Sequence, residues 1–426
     1  MKLQKKLYIL ILLLAALFFE NNTYAQSFTE TSPEKVGFSS ERLEYLTKTF
    51  EGFVENDALP GSVILVARKG EIAYYKAFGK RDIEQNDPME RTDIFRIASQ
   101  TKAIVSVGIM ILQERGLLTI SEPVGKYIPE FNKTTVAVPD ENGGYTIEQA
   151  HRAITIRDLL THTAGVGYGN GVAADKWKEA GIQGWYFADR EEPILQTVKR
   201  MAKLPFDAQP GEKFVYGYST DILGALIEVV SGQSLDAFLS ENVFQPLGMN
   251  DTHFYLPKEK NDRLSVVYSA TDTGIEKAPN PGAMVGQGAY IKGPRVSYSG
   301  GAGLLSTAFD YGRFLQMMLN EGELDGTRIL SRKSVELMTV DHISNIKFPW
   351  DNGTGFGLGF SVVKNLGDRG TMGSVGEYGW GGAYHSSYWV DPSEELVVVY
   401  LTQVIPTKIS EDHQKLPVLI YQAIID

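Results

Sequence analysis

The chain has 426 residues, 43% hydrophobic and 22% charged, a balance that excludes disorder, collagen and coiled coil. With 41 basic against 52 acidic residues the net charge is −11, so the chain lacks the broad positive field that holds a phosphate backbone, and no nucleic-acid partner is expected. Cysteine is absent, which rules out disulfides, thiol nucleophiles, iron–sulfur clusters and thiolate zinc sites.

Lys2, Lys5 and Lys6 precede an unbroken apolar run from Leu7 to Phe19, and Thr23-Tyr24-Ala25 offers small residues at the usual cleavage positions. The run is shorter than the ~20 residues of a membrane span. Residues 1–25 therefore read as a cleavable signal peptide, and no cysteine follows to carry a lipid anchor. The mature chain, 26–426, is expected to be a single domain, periplasmic or secreted, with no stable membrane insertion.

Ser62 to Arg68 and Glu71 to Lys76 are β-rich and flank Lys69-Gly70, a two-residue hairpin signal. Ser99 to Arg115 reads as a helix, apolar from Ala103 to Leu112 and stopped by Gly116. Helical patterns recur near Thr155–His162, Pro193–Lys203, Asp221–Val230, Tyr311–Asn320 and Ser331–Val340. The end returns to strand at Ser387–Val390 and Leu396–Leu401, around a turn at Asp391-Pro392-Ser393. Strands at both ends with helices between predict an α/β (α+β) fold. Its antiparallel sheet is formed by both termini and flanked by helices, and a mostly helical insertion covers roughly 99–245.

The Gly-x-Ser-x-Gly elbow of α/β-hydrolases does not occur. Ser-x-x-Lys occurs four times, at Ser32/Lys35, Ser99/Lys102, Ser344/Lys347 and Ser361/Lys364. Only Ser99 opens a helix, where positions i and i+3 share a face. Lys102 is also the only charge between Arg96 and Glu114, on a helix apolar nearly all round and hence buried. A desolvated lysine beside a serine hydroxyl is what proton abstraction needs, and a helix N-terminus offers backbone N–H groups to an oxyanion. The competing reading makes Ser99 a simple helix cap and lets Lys102 reach out to solvent.

Three segments, in order, resemble the motifs of the serine β-lactamase and penicillin-recognising enzyme superfamily, on its class C β-lactamase and family VIII carboxylesterase side. They are Phe95-Arg-Ile-Ala-Ser99-Gln-Thr-Lys102, then Pro210-Gly-Glu-Lys-Phe-Val-Tyr216-Gly-Tyr218-Ser219, and Tyr378-Gly-Trp380-Gly381-Gly382-Ala383. Framework pieces such as Ile154 to Gly165, Phe244 to Met249 and Gly300 to Thr307 extend the likeness over roughly 30–425. The resemblance implies a β-lactamase/transpeptidase-like fold and an acyl-enzyme on Ser99. Lys102 and Tyr216 would be its proton-transfer partners, and the backbone N–H groups of Ser99 and Ala383 the oxyanion hole. Gly381 and Gly382 would let substrate approach that strand closely.

Two departures bear on substrate. The family's lactamases and peptidases usually place Lys or His where Trp380 stands, to pair with a substrate carboxylate. Losing such a charge-assisted contact costs about 1.5–3 kcal/mol, roughly ten- to hundredfold in affinity, so a neutral ester is expected. Tyr218 stands near the place of an acyl-binding asparagine and would fill or narrow the pocket. Aromatics at Tyr168, Trp177, Trp185, Tyr186, Phe187, Phe348 and Trp350 either wall an apolar cleft or anchor their loops. His162 resembles a framework residue. His385 lies two residues beyond Ala383 and is either a substrate contact or an edge position. The six histidines show no metal-ligand spacing, so neither metal nor cofactor is expected.

The expected activity is therefore an exported serine hydrolase for carboxylic esters, small-molecule or on an acylated polymer. The alternatives within enzymes are a β-lactamase, a D-amino-acid peptidase and an acyl esterase on polysaccharide or cell-wall polymers. A non-catalytic penicillin-binding module ranks last, because Ser99, Lys102 and Tyr216 are all retained.

Overall fold

A computed structural model describes residues 28–272, 274–282, 284–350 and 352–426. The expected signal peptide at 1–25 lies outside the described residues.

The centre of the fold follows from two apolar runs too far apart in sequence to form a hairpin. The strands β1 (Gly61–Arg68) and β8 (Leu396–Thr402) pair antiparallel from Ser62↔Thr402 to Arg68↔Leu396, and every residue of both is buried. Alternate side chains serve two cores. Val63, Leu65, Val397 and Val399 face one, while Ile64, Val66, Val398 and Tyr400 face the other. A strand covered on both faces has no polar side, which is why these runs are continuously apolar.

From this pair the sheet grows outward on both sides. On one side stand β2 (Glu71–Asp82) and the two-residue β3 (Asp87–Pro88). The β1–β2 turn is Lys69-Gly70, both at positive φ, 51° and 80°, the mirror-image turn that suits the right-handed twist of a hairpin. On the other side lie β7 (Ser386–Asp391), β6 (Tyr378–Gly382), β5 (Ser361–Val363) and β4 (Thr354–Phe356). The order is β4-β5-β6-β7-β8-β1-β2-β3, antiparallel throughout, so the two ends of the chain do complete one sheet.

One face is covered by α1 (Ser40–Glu55) and α5 (Glu411–Tyr421), through Leu43, Leu46, Phe50, Leu416 and Ile420. Neither helix stands out in the sequence reading, because each buries only a narrow stripe. The other face carries α2 (Thr101–Glu114), α3 (Ser219–Ser231) and α4 (Ala308–Leu319). Residues Thr101 to Leu112 of α2 are all buried, as an apolar circumference requires. The stretch 99–245 is not purely helical, since Thr135–Pro139 and Tyr145–Gln149 form a hairpin within it. Among the described residues no single helix is long and apolar enough to cross a bilayer.

Candidate active site

The turn that carries Ser99 is built before the helix starts. Ala98 adopts φ 44°, uncommon for a residue with a side chain, and Ala98–Gln100 form one 3-10 turn that leads into α2. The helix thus begins at Thr101, two residues later than the sequence suggests. Neighbours hold the turn on all sides. Ile97 N–H donates to Leu304 O at 3.1 Å, and the Tyr311 hydroxyl donates to Gln100 O at 2.9 Å. Gln100 Nε2 donates to Ser386 Oγ at 3.0 Å, tying the turn to β7.

Lys102 lies one turn beyond Ser99 and is 2% exposed. Its Nζ contacts Ser99 Oγ at 3.1 Å, Tyr168 Oη at 3.1 Å and Gly301 O at 2.7 Å. The carbonyl can only accept and the hydroxyls can do either, so this geometry suits both charge states. A neutral amine in this place can donate to Gly301 O and to one hydroxyl and turn its lone pair toward Ser99 Oγ. The carbonyl is itself placed by Asp221, whose Oδ1 accepts from Ser299 Oγ at 2.6 Å and from Gly301 N–H at 3.0 Å. Burial pushes the Asp221 carboxyl up, and those hydrogen bonds and the Lys102 charge pull against it.

Tyr216 does not hydrogen-bond Lys102. Its ring lies under the ammonium, 4.6 Å from Nζ to centroid, and its hydroxyl accepts from Trp380 Nε1 at 2.9 Å. The hydroxyl on Lys102 comes instead from Tyr168. In the sequence Tyr168 stands only among the loop aromatics. Its signal was the alternating glycines 165, 167, 169 and 171, a loop with backbone freedom to bring one side chain inward. Burial and the neighbouring hydroxyls and Asp221 carboxyl keep the Tyr168 phenol well above its ordinary value, so it stays protonated. His162 is buried 4.7 Å from the Tyr216 ring, centroid to centroid. Burial and the Lys102 charge hold its imidazole well below the ordinary value, hence neutral.

Ser99, Tyr168, Tyr216, Trp380, Gly381, Gly382 and Ala383 all line one cleft of about 820 Å³. Tyr218 does not. It is fully buried, with its ring stacked on Trp177 at 5.7 Å and its hydroxyl donating to Gly184 O at 2.6 Å. The chain turns into α3 at Tyr218, so it cannot share a face with Tyr216, and the expected substrate contact is corrected to a support behind the Tyr168 loop. Gly382 also has a close neighbour within the chain. A Cβ on Gly382 would lie 2.6 Å from both Ile97 O and Ser386 Oγ, so the turn that carries Ser99 packs directly against it.

The aromatics divide. Trp185, Phe348 and Trp350 join Tyr168 along the cleft, whereas Trp177, Tyr186 and Phe187 are core anchors. Trp380 packs against Trp350 at 5.6 Å and Phe356 at 5.3 Å, giving the cleft an apolar wall. Two ionisable side chains on the lining already have partners, Arg369 with Glu377 at 2.6 Å and His385 Nε2 with the Asp412 carboxylate at 2.8 Å.

The family pattern described as Beta-lactamase matches residues 46–415. Protein Rv1367c of Mycobacterium tuberculosis is 33% identical over 361 residues, covering 82% of this chain and 86% of the relative. Esterase EstB of Burkholderia gladioli is 31% identical over 379 residues, covering 84% and 89%. Among solved structures, EstCE1, titled a hydrolase with promiscuous acyltransferase activity, superposes with a TM-score of 0.75 at 26% identity, covering 91% of this chain and 99% of that one. Sheet order, helical layers and these matches agree: the chain belongs to the Beta-lactamase family and is a serine hydrolase built on the β-lactamase fold.

Proposed function

We propose that this chain is an exported serine esterase that cleaves neutral carboxylic esters through an acyl-enzyme on Ser99. The observation that carries the reading is the pairing of the buried Lys102 amine with Ser99 Oγ in a cleft whose third-motif position is an indole. Lys102 in its neutral form takes the Ser99 proton as the hydroxyl attacks the ester carbonyl. The backbone N–H groups of Ser99 and Ala383 receive the oxyanion. Tyr216, whose hydroxyl accepts from Trp380, keeps its own O–H free to protonate the leaving alkoxide. In deacylation the Tyr216 phenolate takes a proton from the water that attacks the acyl carbonyl, and the Lys102 ammonium returns its proton to Ser99 Oγ as that bond breaks, which restores both groups. Tyr168, protonated and bonded to the Lys102 amine, holds that amine beside Ser99.

Trp380 offers no charge to a substrate carboxylate, and Arg369 is already paired with Glu377, so the cleft favours an uncharged acyl group. The relative named an esterase supports the same choice. The basic start and apolar run of residues 2–19 support export to the periplasm or beyond the cell. The test compares initial rates on p-nitrophenyl butyrate and on a chromogenic cephalosporin. The ester is expected to be turned over at least about tenfold faster in kcat/KM, the factor expected from the missing cation. Lactam turnover that rivals the ester would return the protein to the lactamases.

A further inference from the structure

Beyond Gly382, β6 turns back into β7 through Ala383, Tyr384 and His385, and this turn carries the oxyanion donor assigned to Ala383. His385 N–H donates to Gly382 O at 3.1 Å, and His385 stands at φ 64°, a conformation that must be held from outside. Tyr384 supplies the hold toward the cleft. It is fully buried in a cluster with Ala98, the residue before Ser99. The hold from behind is a carboxylate. Asp412, fully buried in the first turn of α5, meets His385 Nε2 with both oxygens at 2.8 and 3.0 Å. The Tyr400 hydroxyl donates to the same carboxylate at 2.7 Å.

His413 completes the group. Its ring stacks on that of His385 at 4.2 Å between centroids and 17° between planes. His385, Asp412 and His413 bring one ligand atom each within 4.8 Å of one another, which invites a metal reading. The stacking argues against it. Imidazole lone pairs lie in the ring plane, so two nearly parallel rings cannot both point at one ion about 2 Å away. What the group can share is a proton. Burial opposes ionisation of Asp412, and the bond and charge of His385, the His413 ring and the Tyr400 hydroxyl outweigh it, leaving the carboxyl below its ordinary value. Burial and the His385 charge hold the His413 imidazole below its own.

We infer that Asp412 and His385 are positioning residues for acyl transfer: the buried carboxylate grips the imidazole, the imidazole holds the left-handed turn, and the turn aims Ala383 N–H into the cleft beside Ser99. The inference rests on the proposed role of Ala383 in the oxyanion hole. An oxyanion donor acts on the transition state and not on the bound ester, so a misaimed turn lowers kcat and spares KM. A residue that merely stabilises the fold lowers the melting temperature without that split.

The test uses Asp412→Asn, His385→Asn and the double variant of the mature enzyme. Asparagine tolerates positive φ, so at 385 the grip is lost and the backbone is not newly strained. The readouts are kcat and KM on p-nitrophenyl butyrate and the rate of inactivation by diethyl p-nitrophenyl phosphate, whose phosphoryl oxygen occupies the same hole. Each single variant is expected to lose about ten- to hundredfold in kcat with KM within about threefold. The inactivation rate should fall by the same factor, and the double variant should be no worse than the poorer single one. A folded Asp412→Asn with wild-type kcat, or with a raised KM alone, overturns the inference. Should that variant fail to fold, Tyr400→Phe removes one bond to the same carboxylate and is expected to lower kcat about two- to fivefold. Unchanged kcat there overturns the inference equally. A wild-type enzyme without ester activity would instead overturn the esterase reading on which it rests.

Discussion

Exchanging Lys102 for methionine is expected to slow hydrolysis of p-nitrophenyl butyrate by about a thousandfold or more, with the fold retained. Methionine matches the length and apolar surroundings of the lysine stem but cannot accept the Ser99 proton. It also leaves Gly301 O and Tyr168 Oη without their shared donor, at distances now of 2.7 and 3.1 Å from Nζ. A buried acceptor left unpaired costs about 1–3 kcal/mol, so a modest drop in melting temperature should accompany the kinetic loss. Ser99→Ala should lose at least as much, and the double variant no more than the worse single, because nucleophile and base act as one unit. Kinetics on the three variants, with circular dichroism to check the fold, decide the point. A Lys102→Met enzyme that keeps more than about a tenth of wild-type turnover would move proton abstraction to Tyr216 or Tyr168.

Gly382→Ala should be nearly as damaging, although it adds one methyl group to a residue with no side-chain chemistry. The added carbon would sit 2.6 Å from Ile97 O and 2.6 Å from Ser386 Oγ. Both atoms belong to the scaffold of the nucleophile turn, since Ile97 O accepts from Gln100 N–H at 3.1 Å and Ser386 Oγ accepts from Gln100 Nε2 at 3.0 Å. Relief requires β6 and the Ser99 turn to part, and a displacement of about 1 Å in such a geometry costs about a hundredfold in rate. Gly381→Ala is the internal control. Its Cβ would meet one atom, Ser386 O, at 3.0 Å, and a clearly smaller loss in kcat is expected. Equal effects at the two positions would mean that glycine is needed there for substrate access and not for closure of the site.

Much of the site was legible because it depends on short-range periodicity. Ser99 and Lys102 share a face whenever that segment is helical, and a lone cation on an apolar helix points to burial, as found at 2% exposure. The pairing of the first and last strands was legible because both are apolar on both faces. What could not be read depends on side-chain direction at points where the chain changes course. Tyr216 and Tyr218 look equivalent in sequence, yet Tyr218 caps the start of α3 and is buried there. Tyr168 reaches Lys102 through a glycine-rich loop that has no period. His385 and Asp412 meet across 27 residues, through a helix whose stripe of buried residues is too narrow to announce itself.

The central claim is a covalent intermediate on Ser99, and intact-mass spectrometry of the enzyme, quenched in acid during turnover of p-nitrophenyl butyrate, tests it most directly. A butyryl adduct that maps to the peptide containing Ser99, is absent from Ser99→Ala and decays as substrate is exhausted is the predicted result. Rapid ester turnover with the adduct on another residue, or undiminished turnover by Ser99→Ala, would contradict it.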